Sequence, residues 1–226
     1  MTWTKICGTT NLHDAQISMA AGADALGFIF APSPRRIDIV TASEIVLSLP
    51  RSIELIAVFI NETPRRVGEI VGQVAFSGVQ LHGDEAAEQM RDFRRAVGGR
   101  KIIKTLQVRQ MLNAGEEKLA KYLAAGASID AILLDSGSTL QPGGTGATFA
   151  WEDAVPLAAA IREAMPLIIA GGLTAENVAK AIELFRPCGV DVVSGVEHEP
   201  GKKDQAKVRS FVAAVRQTEM SAKQDQ

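Results

Sequence analysis

Eight short apolar runs recur along the chain, at residues 5–7, 25–30, 55–60, 79–82, 101–106, 131–135, 167–170 and 190–194. Most are near-continuous in Ile, Val, Leu and Phe and do not alternate with polar residues. Strands buried on both faces read this way, which predicts a parallel sheet covered by helices. The segments between them carry helical spacing over about 12–21, 41–49, 64–74, 85–97, 111–125, 151–165, 174–186 and 204–217. Several have start signals. Thr41-Ala-Ser-Glu44 reads as a capping box. Thr63-Pro64 puts a cap before a proline at the first helical position. Asp84, Thr174 and Asp204 are further cap candidates. Residues 219–226 are polar and read as a frayed tail.

Three segments share one plan: Gly22-Ala-Asp-Ala-Leu-Gly-Phe-Ile-Phe30, Gly126-Ala-Ser-Ile-Asp-Ala-Ile-Leu-Leu-Asp135 and Cys188-Gly-Val-Asp-Val-Val-Ser194. A glycine ends a helix, a short turn follows, and an Asp precedes a buried strand. Helix–strand alternation continues past the glycine-rich 143–146 stretch, and nothing resembles a linker. Eight strand–helix units point to one α/β domain over residues 1–218, a closed (β/α)8 TIM barrel. An open doubly wound sheet is the alternative, but no G-x-G-x-x-G follows the first strand.

Composition narrows the function classes. The chain has 226 residues, with 24 Lys and Arg against 26 Asp and Glu. A net charge of −2 provides no basic field for nucleic acid. No apolar run approaches the roughly 18 residues of a membrane span. Residues 1–5 lack the charged-then-apolar order of a signal peptide. Two cysteines, Cys7 and Cys188, argue against a disulfide scaffold and for a reducing compartment. His13, His82 and His198 are too scattered for a His-rich metal site. The expectation is a soluble, cytoplasmic protein with no membrane or nucleic-acid partner.

A barrel of this kind places its chemistry at the C-terminal ends of its strands. There the sequence offers Cys7, Arg35 and Arg36, His82, Asp135, Gly171 with Gly172, and Ser194 with Gly195. Cys7 lies shortly before a helix start, where backbone amides can favour a thiolate and so a general base; the alternative is a small buried hydrophobe, as most lone cysteines are. Asp135 closes an apolar run, which can raise its pKa and suit a general acid; the alternative is a cap for loop amides. The glycines after strands seven and eight fit a phosphate cradle, or two tight turns. Arg35 and Arg36 can clamp an anion such as a carboxylate, or form a solvated pair. His82 can orient a substrate group or simply stand satisfied at the rim. Pro142-Gly-Gly-Thr-Gly146 reads as a closing loop or a flexible connector. Cys188 precedes strand eight, at the far end of the barrel, and reads as structural.

An ordered set of motifs resembles phosphoribosylanthranilate isomerase. They are Lys5-Ile-Cys-Gly8, Gly22-Ala-Asp-Ala-Leu-Gly-Phe28, Val79-Gln-Leu-His-Gly-Asp84, Leu133-Leu-Asp135 with Gly143-Gly-Thr-Gly146 and Phe149, Ala170-Gly-Gly-Leu-Thr174, and Val190-Asp-Val-Val-Ser-Gly-Val-Glu197 with Pro200-Gly-Lys-Lys-Asp204. The set runs from about residue 5 to residue 216. The resemblance implies a cofactor-free, metal-free Amadori rearrangement in tryptophan biosynthesis, acting on a small phosphorylated substrate. It implies Cys7 as base, Asp135 as acid, Arg35 near the anthranilate carboxylate, and Gly171, Gly172, Ser194 and Gly195 at the phosphate. The loop at residues 31–36 is one residue shorter than the family's common form, which keeps Arg36 as an alternative to Arg35. Val193 stands where the family usually shows Ser. A related histidine-pathway isomerase would carry Asp at position 7, and a pentose-phosphate epimerase would need a metal-binding His and Asp set that is not found here. A phosphate-binding protein without catalysis would have no need of both Cys7 and Asp135. Monomer and homodimer both remain open.

Overall fold

The computed structural model describes residues 1–114, 116–136 and 151–224. The glycine-rich motif at 142–146 and Phe149 lie outside the described residues. Eight parallel strands close into a barrel in chain order: β1 (Trp3–Cys7), β2 (Ala25–Ile29), β3 (Glu54–Phe59), β4 (Gly78–Leu81), β5 (Lys101–Gln107), β6 (Ala131–Asp135), β7 (Leu167–Ala170) and β8 (Gly189–Val192). The first and last strands complete the ring, pairing Trp3 with Gly189, Lys5 with Asp191 and Ile6 with Val192. Residues of the closed barrel are separated from its helical coat by strand alternation. Outward residues such as Ile6, Leu26, Val79, Ile102, Leu134 and Val190 pack into one large cluster with the helices. Ala25, Ile56, Ile103, Ala131, Leu133, Ile168 and Ala170 fill the interior, with Trp3 packed against them.

The helices follow their signals with informative exceptions. α1 (Leu12–Ala20) is capped by Asn11, whose Oδ1 accepts from the Asp14 amide at 2.8 Å. α2 (Ile39–Leu47) begins earlier than the expected capping box, because the Asp38 carboxylate accepts from both the amide and the hydroxyl of Thr41. Thr41 is therefore inside the first turn. α3 (Pro64–Gln73) starts as expected, with Thr63 Oγ1 accepting from the Arg66 amide. α4 (Met90–Val97) follows a 3₁₀ turn at Ala87–Gln89, and Gln89 Oε1 takes the Ala86 amide, so Asp84 is not its cap. The predicted 111–125 helix begins three residues earlier and is described on either side of residue 115, as α5 (Val108–Ala114) and α6 (Glu116–Ala124). α7 is Val155–Ala164, and α8 (Val178–Phe185) starts one turn after Thr174. α9 (Gln205–Gln224) is capped by Asp204 and runs past residue 218, through most of the stretch read as a frayed tail.

Sequence patterning missed one hairpin. β9 (Glu197–Glu199) and β10 (Lys202–Lys203) pair antiparallel over the barrel rim. The eighth strand also ends earlier than the apolar run, since Val193 leaves the extended region at ψ −84° and Ser194 opens a 3₁₀ turn.

A buried ionic knot fixes the rim after β4. Lys104 and Glu85 are 1 % and 2 % exposed, with Nζ 2.7 Å from Oε2. Lys104 also donates to the carbonyls of Leu81 and Gly83, while Glu85 accepts from the amides of Asn61 and Gly83. The Tyr122 hydroxyl donates to the Glu85 carbonyl. Every charge is paired, as a buried charge must be. Lys104→Met leaves the Glu85 carboxylate buried without its cation. Denaturant unfolding is expected to show a loss of about 3–5 kcal/mol; a change of less than about 1 kcal/mol would contradict the pairing.

Candidate active site

The rim at the C-terminal ends of the strands gathers the sequence-derived candidates from six strand ends. Alternation turns Lys5 and Cys7 of β1 inward, along with Gln80 and then His82 at the end of β4, Thr105 and Gln107 of β5, Asp135 of β6 and Asp191 of β8. A cavity of about 180 Å3 opens at this rim. It is lined by His82 and Asp135 on one side, by Gly171, Gly172, Ser194 and Gly195 on the other, and by Asp191.

Asp135 is held at the polar edge of the interior. His82 Nε2 lies 3.2 Å from its Oδ2, and Gln107 Nε2 lies 3.5 Å from the same oxygen. The Gln80 amide sits 3.0 Å from His82 Nδ1 and donates to Thr105 Oγ1 at 3.1 Å. Gln80 donates at Nδ1, which leaves Nε2 as the ring nitrogen that meets the Asp135 carboxylate. Behind the carboxylate there is no room for a side chain. A Cβ on Gly171 would fall 2.5 Å from Asp135 Oδ1 and from Ser136 Oγ. Gly171 also holds φ +93°, a conformation natural only to glycine.

Cys7 is 3 % exposed. The sequence places helix amides behind its thiol, but α1 starts at Leu12 and is capped by Asn11. Two lysines take that place. Burial pushes the thiol above its ordinary pKa, and the charges of Lys5 and Lys203 pull against that rise. Lys203 Nζ donates to the Cys7 carbonyl at 2.5 Å. Gly27 of β2 stands directly opposite Cys7 in the register, and a Cβ there would overlap the Cys7 sulfur.

Of the two arginines, Arg35 faces the site. Its stem packs over Gly8, and its guanidinium makes a bidentate pair with Glu197, Nη2 lying 2.6 Å from Oε2. Glu197 also accepts from Lys203 and from the Gly201 amide. Burial works against its charge, but Arg35 and Lys203 overcome this and hold the carboxyl below its ordinary value. Arg36 is exposed. The glycine loops close on each other: a Cβ on Gly195 would overlap the Leu173 carbonyl. Asn177 ties the loop after β7 together, donating to the Gly172 carbonyl and accepting the Thr174 amide. Cys188 is a free, exposed thiol before β8, away from this rim.

A family model described as N-(5'phosphoribosyl)anthranilate (PRA) isomerase matches residues 4–214. The chain belongs to this family. An N-(5'-phosphoribosyl)anthranilate isomerase of Pelobacter propionicus is 41 % identical over 215 residues, covering 95 % of each chain. A phosphoribosyl anthranilate isomerase solved with reduced 1-(O-carboxyphenylamino)-1-deoxyribulose 5-phosphate superposes with a TM-score of 0.78 at 36 % identity, covering 96 % of this chain and all of that one. A structure of monomers generated from the dimeric enzyme of Thermotoga maritima gives 0.77 at 34 % identity, covering 96 % and 99 %.

Within this PRA isomerase barrel, several residues around the candidate site escaped sequence reading. Lys5, Gln80 and Asp191 are polar residues at inward positions of apolar strands, and that parity is the signal that could have found them. Glu197 and Lys203 meet Arg35 only through the small hairpin, which no periodicity announces. The two glycines against Cys7 and Asp135 generate a direct test. Gly27→Ala and Gly171→Ala displace the sulfur and the carboxylate respectively, and a displacement of about 1 Å can cost about 100-fold in rate. Isomerase kcat/KM is expected to fall by about that factor in each. Gly99→Ala, where a Cβ meets nothing within 4 Å, should leave it unchanged. Near-normal turnover by the first two variants would contradict the steric account.

Proposed function

We propose that the chain converts N-(5-phosphoribosyl)anthranilate to 1-(2-carboxyphenylamino)-1-deoxyribulose 5-phosphate, with Cys7 as general base and Asp135 as general acid. One observation carries this reading: the cavity reaches from the Asp135–His82 pair to the glycine loops after β7 and β8. A sugar phosphate needs those two ends, one for proton transfer and one for the phosphate.

The substrate is a closed aminofuranose. Protonated Asp135 gives its proton to the ring oxygen, the bond from that oxygen to C1 breaks, and the nitrogen lone pair forms an iminium. The C2 hydrogen is now acidic. The Cys7 thiolate removes it, and the electrons of the C–H bond form the C1–C2 double bond of an enolamine. Protonation at C1, with loss of the hydroxyl proton at C2, gives the aminoketose. Gly171, Gly172, Ser194 and Gly195 hold the phosphate through backbone amides, which fixes the reacting carbons. His82 keeps Asp135 oriented. Arg35, preset by Glu197, offers its remaining N–H groups to the anthranilate carboxylate. The chain's own residues supply each proton transfer, so the reading includes no metal or cofactor. The reading places the enzyme in the cytoplasm, where two free cysteines stay reduced, as a monomer or a homodimer.

Loss of substrate fluorescence from freshly generated phosphoribosylanthranilate measures the reaction, with EDTA present. Cys7→Ala and Asp135→Asn should each lower kcat by about 10²–10⁴-fold, the usual contribution of a general acid or base, with KM nearly unchanged. No acceleration by the unmodified protein would sink the proposal. The pH dependence has a definite sign. The thiolate is the active form and burial raises the thiol, so kcat/KM should climb with pH through the neutral range. A flat profile there would rule Cys7 out as base. Arg35→Ala should raise KM strongly and Arg36→Ala should not; the reverse result would reassign the carboxylate clamp.

A further inference from the structure

Two charged side chains occupy the barrel interior beside the apolar cluster of Ala25, Ile56, Ile103, Ala131 and Ile168. Lys5 and Asp191 are register partners across the β1–β8 seam, 0 % and 4 % exposed, with Nζ 2.6 Å from Oδ2. Apolar residues of similar volume can replace a buried ion pair with no loss of stability, so packing gives no reason for charge here. The surroundings give one. Side chains repeat every second residue along a strand, so Cys7 stands immediately above Lys5 on the same inward face. The Lys5 ammonium donates to Asp191, and the Cys7 side chain is among the groups that favour its charge.

We propose that Lys5, kept charged by Asp191, is the positioning residue for Cys7, the counter-charge against which the thiol gives up its proton and remains aimed into the site. This rests on the reading of Cys7 as the base. Burial opposes the charge of Lys5, but Asp191 and Cys7 together outweigh it, so the amine keeps its proton. The other charged groups near the sulfur are already engaged. Lys203 bonds the Cys7 carbonyl and Glu197, and Arg35 is held by Glu197. His82 and Asp135, at the ends of β4 and β6, pair with each other. Asp191 disfavours the thiolate, but more weakly than Lys5 favours it.

The test is a pH titration of the thiolate absorbance of Cys7. A Cys188→Ser background removes the exposed second thiol, and subtraction of the Cys7→Ala/Cys188→Ser protein removes the remaining signal. Lys5→Met should move the Cys7 midpoint up by about 1–3 pH units, the usual effect of losing an adjacent opposite charge. The rising limb of kcat/KM should move with it, kcat at neutral pH should fall by at least about tenfold, and KM should change little. Lys5→Met leaves Asp191 unpaired. The double variant Lys5→Met/Asp191→Asn carries no unpaired charge, and its midpoint should also lie above that of the parent. An unmoved midpoint in either folded variant overturns the inference. If Cys7→Ala retains full activity, the base reading falls, and with it any role of Lys5 in the reaction. If Cys7→Ala is inactive and the midpoint is unmoved, only the present inference falls.

Discussion

The pairing of β1 with β8 is the constraint on which the rest depends. It joins residues nearly two hundred positions apart, and it sets the register by which Lys5 meets Asp191. A slip of one residue would turn every inward side chain of β1 to the helical coat. Cys7 would then face the helical coat, not the barrel interior. Because all eight strands run parallel, closure also brings their C-terminal ends to a single rim. Groups that the chain spreads from residue 7 to residue 197 become neighbours without any local sequence signal linking them.

Around that rim the protein positions its groups in two ways. Ionic and hydrogen-bonded anchors hold them from behind: Glu197 for Arg35, His82 with Gln80 for Asp135, Glu85 with Lys104 for the loop carrying His82. Absence of a side chain also sets their positions. Gly27 and Gly171 leave only the space that the sulfur and the carboxylate occupy, and Gly195 lets the loops after β7 and β8 touch. The arrangement buries several charges that an apolar core would not need, which is how a functional site departs from a rule that the rest of the core obeys.

The barrel was legible in sequence because its strands are buried on both faces and its helices are amphipathic, so each element states its own type. Thr63, Asp204, Cys7, Asp135 and the glycine loops were legible because strand ends and caps draw on few residue types. What stayed hidden depends on contacts between distant segments. The Asp38 cap outcompeted Thr41 because its carboxylate takes both the amide and the hydroxyl of that residue. That Arg35 and not Arg36 turns toward the rim depends on Glu197, which sits on a hairpin of only two short strands. The electrostatics of Cys7 were misread because a helix start close in sequence turned out to be satisfied by Asn11, while Lys5 lies beneath the thiol in space.

The proposed mechanism needs one cavity to hold the phosphate at one end and carry out proton transfer at the other. A crystal structure of this chain with the reduced product analogue bound tests it most directly. The account predicts the phosphate against the amides of Gly171, Gly172, Ser194 and Gly195 and the carboxylate at Arg35. It also predicts the C2 carbon at about 3–3.5 Å from the Cys7 sulfur, the spacing of a near-attack arrangement. A phosphate bound elsewhere, or a C2 carbon out of reach of Cys7, would contradict it.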